Sequence, residues 1–513
     1  MHNMAAKATE QQTEVRVGLI INGKEVETLE TSPVYDPAAP AQVVGYAAAA
    51  TQDQTTQAID AADRAWPEWS NFDPERRAEM LLHSLEALRD DEAERAEILV
   101  RENGKVRAEA QVELQVFVNR CRLAAELAGD LQNVRRLSPT QSTPKPTLTG
   151  DGHKQEKVSL EFPFRSEVTT LPLGIVTIII PYNWPLAILA ASLPHALVAG
   201  NTVIVKPPPA TPLSVVRTLR TIAAGLPPGV LNVITGTNEA VSPLISDPRI
   251  RRIVFTGSTT AGKSIMATAA KNVTRVTLEL GGNDPALILD DAKLDDAALQ
   301  RLVVSSFLTT GQVCMGIKRI YVHDSRYDEV VEGMSKILEG YRVGHGLKTD
   351  TTMGPLNNAR QRDFVQELKE EAKAAGHEIR EFGQIAEESV AAQGYFLKPA
   401  LVLDPSPTLR IVQEEQFGPA QPILRYTDLD EVIAQTNTGW AGLCSSVWSS
   451  DLERAASVAA RLRTGTTWIN NANAVAEDDR APFGGFRQSG LGRELGMEGL
   501  LEFVEYHTIT YPA

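Results

Sequence analysis

The sequence predicts an α/β protein built on a parallel, doubly wound sheet. From Leu171 onward, short apolar strands alternate with amphipathic helices, and a second series of the same kind runs from Pro285 to about Asn470. The chain has 513 residues, which is too many for one simple core. We therefore expect two or three domains.

The elements before these series follow two other patterns. Residues 13–45 have the pattern of short strands joined by turns, and Gly18–Gly23 predicts a strand followed by a hairpin turn. Charge-studded runs then predict the helices Thr55–Ala65, Pro74–Asp90, Glu92–Asn103 and Arg107–Leu131. Residues 137–165 are rich in turn residues and end in an alternating pattern, which indicates an excursion from the domain.

The strand–helix series is predicted element by element. Its order is strand Gly174–Ile180, helix Pro185–Ala199, strand Thr202–Lys206, helix Pro212–Ala224, strand Val230–Thr235, and strand Arg252–Thr256 with a helix after it. Apolar strands separated by amphipathic helices are typical of a sheet covered on both faces.

Composition excludes several classes of protein. The hydrophobic share of 43% and the charged share of 22% are ordinary for a soluble globular protein, and a net charge of −15 argues against nucleic acid as a partner. Three widely spaced cysteines, Cys121, Cys314 and Cys444, indicate a reducing compartment and no zinc site. The polar N-terminus and the absence of a long apolar run predict a cytoplasmic protein that does not enter the membrane.

Two segments carry chemistry. Cys314 ends the run Gly311-Gln-Val-Cys, and Glu279 lies in Leu278-Glu-Leu-Gly-Gly-Asn283. A thiol and a carboxylate are the parts needed for covalent catalysis on a carbonyl, since the thiolate attacks carbon and the base later activates water. A free cysteine is more often a small buried hydrophobe, which is our interpretation of Cys121 and Cys444.

A phosphate-loop pattern competes with this interpretation. Gly257–Ser264 matches G-x-x-x-x-G-K-[ST] between a predicted strand and a helix, and Ala286–Asp291 imitates the strand that holds magnesium in nucleotide hydrolases. A helix N-terminus also binds the pyrophosphate of a dinucleotide. The hydrolase hypothesis leaves Cys314 and Glu279 without a role, so we keep it as the alternative.

Seven segments in order resemble the aldehyde dehydrogenase superfamily, from about Gly18 to Thr508. They are Pro181–Pro185, Gly200–Pro207, Phe255–Ser258, Leu278–Asn283, Gly311–Cys314, Glu414–Pro419 and Pro482–Gly490. The resemblance implies an aldehyde dehydrogenase-like fold with a Rossmann-type cofactor domain (13–148 and 171–283), a catalytic α/β domain (284–483) and a small β oligomerisation part (149–170 and 484–513). It also implies a homodimer or homotetramer.

The resemblance implies oxidation of an aldehyde to the acid by NAD(P) through a cysteine thiohemiacetal and thioester. Cys314 would attack the aldehyde, Asn183 and the Cys314 N–H would hold the oxyanion, and Glu279 would activate water. The implied cofactor contacts are Ile180, Pro181, Lys206, Gly236, Thr256, Gly257, Ser258, Leu280, Glu415 and Phe417. Acylation of coenzyme A and a catalytically retired homologue are alternatives, and the intact Glu279 argues against both.

Three positions depart from the family pattern. Pro209 stands where many NAD-preferring members carry a glutamate, so the expectation of NAD leaves NADP as the alternative. Thr309 stands where an asparagine is frequent. Ser192 stands where a lysine can join a proton relay, which puts a relay role of Glu494 in doubt.

Small and apolar residues are expected to line a roomy substrate pocket. They are Trp184, Ala187, Ala191, Val313, Met315 and Val475, and they favour a hydrophobic or aromatic aldehyde. The charged run Glu477–Arg480 lies in the loop just before Pro482. We interpret it as a solvated charge run, with a preference for cationic amino-aldehydes as the alternative. No metal is expected.

Overall fold

The computed structural model describes residues 14–132, 134–137 and 164–512. Its helices and strands up to residue 279 are, in chain order, β1 (Val15–Val17), β2 (Leu19–Ile21), β3 (Lys24–Val26), β4 (Thr31–Asp36), β5 (Ala39–Ala48), α1 (Gln52–Ser70), α2 (Pro74–Glu86), α3 (Glu92–Asn103), α4 (Arg107–Glu126), β6 (Arg135–Leu137), β7 (Phe164–Pro172), β8 (Ile175–Ile179), α5 (Pro185–Val198), β9 (Thr202–Lys206), α6 (Leu213–Ala224), β10 (Leu231–Val233), α7 (Pro243–Ser246), β11 (Ile250–Thr256), α8 (Thr259–Ala269) and β12 (Arg275–Glu279).

The elements after residue 279 continue the numbering. They are β13 (Asp284–Ile288), α9 (Asp296–Phe307), β14 (Ile317–His323), α10 (Tyr327–Glu339), β15 (Arg342–Val343), α11 (Ala359–Ala374), β16 (Glu378–Glu381), β17 (Gln384–Ile385), α12 (Glu387–Ala391), β18 (Ala400–Leu403), α13 (Arg410–Gln413), β19 (Ala420–Tyr426), α14 (Leu429–Thr438), β20 (Cys444–Trp448), α15 (Leu452–Ala459), β21 (Thr466–Ile469), β22 (Gly490–Leu491), α16 (Gly496–Leu501) and β23 (Val504–Pro512).

The first large sheet confirms the doubly wound prediction. Within the described chain its strand order is β22-β12-β11-β8-β9-β10-β2-β3, and the strands from β12 to β10 are parallel. The chain builds outward from β8 through β9 and β10, and then returns to add β11 and β12 on the other side. This reversal puts a switch point between β8 and β11, where ligands of such sheets bind beyond the carboxyl ends of the strands.

Alternate side chains of the parallel strands enter two different cores. Val203 and Val205 of β9 pack with α5 and α6, whereas Ile204 between them packs with α1 and α8. Because both faces of β9 are covered by helices, its sequence is a continuous apolar run rather than an alternating one. The strand predicted at Thr202–Lys206 is therefore recovered to the residue.

The second large sheet has the order β16-β18-β19-β14-β13-β20-β21 in the described chain and is parallel except for β16. It contains the second strand–helix series predicted from Pro285 to Asn470. The chain starts this sheet at β13, adds β14, β19 and β18 on one side, and then places β20 and β21 on the other.

The N-terminal elements differ from prediction mainly at their ends. The hairpin at Gly18–Gly23 is present, with Asn22 and Gly23 at φ of 53° and 72°, as a type I′ turn requires. The first helix begins at Gln52 rather than Thr55, because Thr51 and Gln54 form a reciprocal capping box. The fourth helix ends at Glu126, short of the predicted Leu131, and a 3₁₀ turn follows it.

A small antiparallel sheet has the order β23-β7-β6, and β7 pairs with β23 along its whole length. Residues 149–163 of the predicted excursion lie outside the described residues. In the predicted oligomerisation segment 484–513, β22 instead pairs with β12 at the edge of the first large sheet. None of the described helices combines the length and the apolar character that crossing a bilayer requires.

Candidate active site

The candidate site lies where the two large sheets meet. Glu279 is the last residue of β12, and a short turn leads from it to Asp284, the first residue of β13. Cys314 lies just before β14, and Cys444 is the first residue of β20. The carboxyl end of β12 therefore meets the amino ends of β13, β14 and β20, and this junction brings the predicted thiol and carboxylate together.

Cys314 occupies a tight turn. The Gly316 N–H donates to the Val313 carbonyl at 3.1 Å, so Cys314 is one of the two central residues. The residue is half-buried, yet desolvation by the surrounding protein raises the pKa of its thiol to about 12. Glu415 raises this pKa further and Lys318 lowers it. The protein thus surrounds the thiol with groups of both charges.

The chain reaches this turn through three consecutive left-handed residues. Thr309, Thr310 and Gly311 have φ of 49°, 60° and 76°. A Cβ on Gly311 would lie 2.5 Å from the carbonyl oxygen of Gly418, so only glycine fits there. The two threonines adopt a conformation that costs β-branched residues free energy, and such strain is concentrated at functional sites.

Glu279 is buried, and neither of its carboxylate oxygens has a hydrogen-bond partner. Burial raises its pKa well above the usual value, and the carboxyl group of Glu494 raises it further. An unpartnered carboxylate with a raised pKa is suited to act as a general base, because both oxygens are free to bind water or substrate.

Asn183 is buried and joins α5 to the nucleophile loop. Its Nδ2 donates to the carbonyl of Gln312 at 2.9 Å. The backbone carbonyl of Asn183 accepts from Lys105 Nζ at 2.9 Å and from Asn103 Nδ2 at 3.3 Å. A side-chain amide has two N–H hydrogens, and the bond to Gln312 uses one of them. The second N–H is therefore available to a ligand bound where the two sheets meet.

A buried ion pair holds the start of α5. The ammonium of Lys105 pairs with Glu113, and both side chains are fully buried. Glu113 Oε1 accepts from the backbone N–H groups of Leu186 and Ala187 at 2.8 and 3.3 Å. Lys105 Nζ also lies 4.1 Å from the centroid of the Trp184 ring. The pair therefore fixes the segment that carries Asn183 and Trp184.

Most of the predicted substrate-pocket residues pack together. Trp184, Ala187 and Val313 are buried in one cluster, and Met315 packs against it. Trp184 Nε1 donates to Thr309 Oγ1 at 2.9 Å, which fixes the indole against the nucleophile loop. The two sides of the site are thus joined through an apolar wall.

The other two predicted pocket residues lie apart. Ala191 packs in a neighbouring cluster with Phe483, and the half-buried Cys314 packs against this cluster. Val475 lies in the turn Ala474–Ala476 with 54% of its surface exposed, and the buried clusters do not include it. Ala191 therefore shares a cluster with the thiol, whereas Val475 is largely exposed.

The predicted cofactor residues gather at the switch point of the first sheet. Ile180 and Pro181 follow β8, Lys206 ends β9, and Thr256 ends β11, which is the neighbour of β8. Lys206 is buried, and desolvation lowers the pKa of its amine to about 8. These positions match the place where doubly wound sheets bind dinucleotides.

The N-terminus of α8 lies beside them. Ser258 is the N-cap residue, and its hydroxyl accepts from the Ala261 N–H at 3.3 Å. The Gly257 N–H donates to the Glu279 carbonyl at 2.9 Å, so the helix start is tied to the strand that carries the candidate base. The free N–H groups and dipole at such a helix start favour a phosphate.

Two further predicted contacts are backbone positions. Gly236 follows β10 with φ of 157°, and a Cβ there would meet the backbone of Ala50 at 3.3 Å. Leu280 is buried, and its N–H donates to the Ser489 carbonyl at 2.8 Å. Leu280 also packs on Gly262, where a Cβ would lie 2.6 Å from its side chain.

Glu415 and Phe417 approach from the second sheet. A Cβ on Gly281 would lie 2.3 Å from Glu415 Oε2, whereas Glu415 Oε1 is buried without a partner. Burial raises the pKa of Glu415 to about 7. The Phe417 ring lies edge-on to Tyr182 with centroids 6.2 Å apart. An orphaned acceptor, a helix start and a buried amine with no partner among the described residues together fit a dinucleotide.

The two segments of the phosphate-loop pattern, Gly257–Ser264 and Ala286–Asp291, belong to different sheets in the structure. Lys263 Nζ donates to Gln488 at 2.8 Å on the surface. Asp291 follows β13, in the other sheet, and pairs with Arg454 at 3.0 Å while accepting from Ser449. The carboxylate expected to hold magnesium is therefore not on a strand next to β11. No set of three or more His, Cys, Asp or Glu side chains in the described ranges is placed to hold a metal ion.

Comparison with known proteins agrees with this geometry. The family model described as the aldehyde dehydrogenase family matches residues 24–509. The chain belongs to the aldehyde dehydrogenase family. Members of this family oxidise aldehydes with NAD or NADP, and this chain is such an NAD(P)-dependent enzyme.

Individual relatives cover most of this aldehyde dehydrogenase. It is 35% identical to the geranial dehydrogenase of Castellaniella defragrans, over 91% of this chain and 93% of the relative. It is 33% identical to the NADP(+) succinate-semialdehyde dehydrogenase of Escherichia coli, over 88% and 89%. The betaine aldehyde dehydrogenase of Staphylococcus aureus, solved with NAD+, superimposes with a TM-score of 0.87 at 29% identity, over 97% of this chain and 94% of that one.

One departure of this aldehyde dehydrogenase has a clear structural consequence. Ser192 on α5 donates to Glu494 Oε1 at 2.6 Å, so a serine–carboxyl hydrogen bond occupies the position of the relay lysine. Glu494 is buried, and desolvation raises its pKa to about 7. Ser192 lowers that pKa by hydrogen bonding, but it carries no charge.

The interpretation of Glu477–Arg480 as a solvated charge run is wrong for two of its members. Glu477 and Asp479 pair with Arg120 of α4 at 2.5 and 2.8 Å, and the Glu477 and Arg120 side chains are buried. Asp478 and Arg480 pair with each other and are exposed. The pairing reaches across the fold, so local sequence could not show it.

Sequence reasoning missed several charged residues of the aldehyde dehydrogenase site. Lys318 on β14, Asp284 on β13 and the pair Lys105–Glu113 are all buried. Asp284 accepts from the Cys444 N–H at 3.1 Å, and burial raises its pKa to about 8. For Lys318 and Asp284 the one signal in the sequence is a charge in an apolar strand, which a fully buried parallel strand rarely contains. Lys105 and Glu113 lie before and within a charge-studded helix, where the sequence gives no such signal.

Proposed function

We propose that Cys314, Glu279 and Asn183 oxidise an aldehyde to its acid through a thioester on the cysteine. The observation that carries this proposal is the pair of unpartnered, buried oxygens of Glu279 at the junction that also holds the half-buried thiol. Such a base without protein partners is costly in a folded chain, and proteins retain it where it acts on a ligand.

The proposed steps begin at sulfur. The Cys314 thiol gives its proton to solvent, Sγ forms a bond to the aldehyde carbon, and the electron pair of the carbonyl double bond moves to oxygen to form an oxyanion. The free N–H of the Asn183 amide and the Cys314 backbone N–H hold that oxyanion. When bound, NAD(P) supplies the hydride acceptor that converts the thiohemiacetal to a thioester. Glu279 then takes a proton from water, which attacks the thioester, breaks the C–S bond and releases the acid.

We propose NAD as the cofactor, with NADP as the second candidate. Lys206 and the start of α8 would hold the ribose and the pyrophosphate, and Glu415 would accept from the second ribose; their positions at the switch point and the unpartnered Glu415 oxygen support this. Pro209 is exposed and stands where the glutamate of many NAD-preferring members would repel the 2′-phosphate of NADP. Without that carboxylate, the exclusion of NADP is weak. Initial rates at equal NAD and NADP concentrations measure the preference.

The proposed substrate is a hydrophobic or aromatic aldehyde. The wall formed by Trp184, Ala187, Val313 and Met315 is apolar, and apolar contact contributes roughly 25 cal/mol per Å². Arg120, a cation at the base of the loop 473–481, is already paired with two carboxylates. It is therefore not free to bind the carboxylate of a semialdehyde substrate.

An aldehyde panel tests both parts of the proposal. Benzaldehyde-type, long aliphatic, amino-aldehyde and semialdehyde substrates are compared by the absorbance of the reduced nicotinamide. We expect the highest kcat/KM with the apolar aldehydes, no stimulation by coenzyme A, and no turnover by Cys314→Ala. Full activity of Cys314→Ala would reject the mechanism, and a preference for amino-aldehydes would reject the substrate class alone.

We also propose a homo-oligomer, a dimer or a tetramer, located in the cytoplasm. The support is β23, an edge strand of nine residues that exposes Tyr506 and Ile509 beside the exposed Leu171 of β7. Long exposed edges with apolar side chains pair with another chain or aggregate. Light scattering on the purified protein measures the mass, and a monomer would reject the proposal.

A further inference from the structure

Lys318 lies under the turn that carries the thiol. It is the second residue of β14, and its side chain is almost fully buried. Its ammonium donates to the carbonyls of Val313 and Gly316, the latter at 3.2 Å. Val313 and Gly316 are the first and last residues of the turn that has Cys314 near its centre. One buried cation thus contacts the backbone before and after the nucleophile in the turn.

Three carboxyl groups also act on the thiol. Asp284, Glu279 and Glu415 each act to raise the pKa of Cys314. The position of Asp284 shows how close they come: a Cβ on Gly282 would lie 2.8 Å from Asp284 Oδ1 and 2.8 Å from the carbonyl oxygen of Cys314. A thiolate at Cys314 would therefore face a further negative charge from each of these carboxyls once that carboxyl is ionised.

We propose that Lys318 is a positioning residue that holds the nucleophile turn through its two carbonyl contacts and serves as the counter-ion of the Cys314 thiolate. The inference deepens the proposed function, since it rests on Cys314 being the nucleophile. Lys318 also offsets Asp284 and Glu415, whose carboxyl pKa values it lowers, so that these groups remain beside the thiol without a net cluster of negative charge.

The geometry separates two contributions of Lys318. The donor contacts to Val313 and Gly316 need hydrogen-bonding nitrogen but no charge, whereas stabilisation of the thiolate needs the charge itself. Lys318→Gln keeps a donor and removes the charge, Lys318→Arg keeps the charge, and Lys318→Met removes both.

The test is the rate at which iodoacetamide alkylates Cys314 in the full-length protein without substrate, followed by mass spectrometry of the peptide that contains it. A nearby opposite charge typically shifts a pKa by about 1 unit or more. The thiol of Lys318→Gln should therefore react about tenfold more slowly at a fixed pH from neutral to mildly alkaline. Lys318→Arg should restore the rate. An unchanged rate in Lys318→Gln, or a slow rate in Lys318→Arg equal to that of Lys318→Gln, would overturn the inference.

Two further variants keep the test decisive. Asp284→Asn removes an opposing carboxylate, so alkylation above pH 8 should become faster, which loss of folding at the site would not produce. Lys369→Gln is the matched control, because that buried lysine pairs with Glu381 at 2.6 Å and should leave the rate unchanged. An unchanged or slower rate in Asp284→Asn, or a Lys369→Gln protein as slow as Lys318→Gln, would contradict the role of local charge. Alkylation requires no turnover, so a normal Lys318→Gln rate together with an inactive Cys314→Ala enzyme would reject this inference and leave the proposed function intact.

Discussion

The side-chain amide of Asn183 donates to the backbone carbonyl of Gln312 across 2.9 Å, so the proposed oxyanion donor is fixed to the loop of the nucleophile itself. Any movement of the loop carries the donor with it. Donors that are oriented before the reaction need no reorganisation when charge develops, which is the main source of their effect on rate.

Replacement of Asn183 by alanine should therefore lower kcat by about 10²–10³, the usual effect of losing one oxyanion donor. The matched control is Asn103→Ala, since Asn103 Nδ2 donates to the Tyr182 carbonyl at 2.6 Å and supports the same segment without reaching the thiol. Steady-state kinetics and thermal unfolding of both variants are compared. Equal losses of kcat in the two would show that Asn183 acts only through the fold.

The pH dependence of the reaction should follow the state of Glu279. Its pKa is raised by burial and by Glu494, and only its ionised form accepts a proton from water. Thioester hydrolysis should therefore accelerate as the pH rises beyond the range in which a glutamate usually ionises. Glu494→Gln removes the neighbouring negative charge, so the rising limb of kcat should move to lower pH. A flat wild-type profile, or a limb that moves to higher pH, would contradict this assignment.

Glu494 should also link stability to pH. Burial raises its pKa from 4.5 to about 7 in the folded protein, so the folded state binds a proton that the unfolded state has lost. Its contribution is complete below pH 4.5 and declines as the pH rises towards 7, by up to about 3 kcal/mol in the free energy of unfolding. Glu494→Gln keeps an acceptor for Ser192 and should reduce the decline. Melting temperatures of both proteins from pH 5 to 8 measure it, and parallel curves would be evidence against the link.

Arg120 should be essential to the loop that carries Glu477 and Asp479. Arg120→Met leaves two carboxylates without their cation, one of them buried, and such a loss typically costs about 3–5 kcal/mol. The double variant Arg120→Met/Glu477→Gln should recover part of that loss, because the buried charge is gone. Denaturant unfolding measures the three proteins, and a double variant less stable than Arg120→Met would refute the pairing as the cause.

Local patterns in the sequence predicted the strand–helix series of the two large sheets. The strand Thr202–Lys206 is apolar because helices cover both its faces, and Gly311 is glycine because the Gly418 backbone leaves no room for a Cβ. Gly418 is distant from Gly311 in the chain, so the sequence shows the glycine but not the contact that requires it. Cys314 and Glu279 are candidates in the sequence because a thiol and a carboxylate beside glycines suit covalent catalysis, and the family resemblance implies their roles.

The ionic contacts could not be predicted in this way. Arg120 and Glu477 are 357 residues apart in the chain, and each alone resembles a solvated helix or loop charge. Lys318 lies in an apolar strand, where the sequence shows an unexplained charge but not the two carbonyls that it contacts. Such contacts depend on how the two large sheets meet, and the residues at that junction come from distant parts of the chain.

The most direct test of the account is the fate of the acyl group in Glu279→Gln. If Glu279 activates the water that hydrolyses the thioester, this variant should release one equivalent of reduced nicotinamide per site in a burst and then stall. Mass spectrometry should then find the acyl group on the peptide that contains Cys314. Continued turnover at the wild-type rate, or a stalled enzyme with no acyl group on Cys314, would contradict the proposed roles of these two residues.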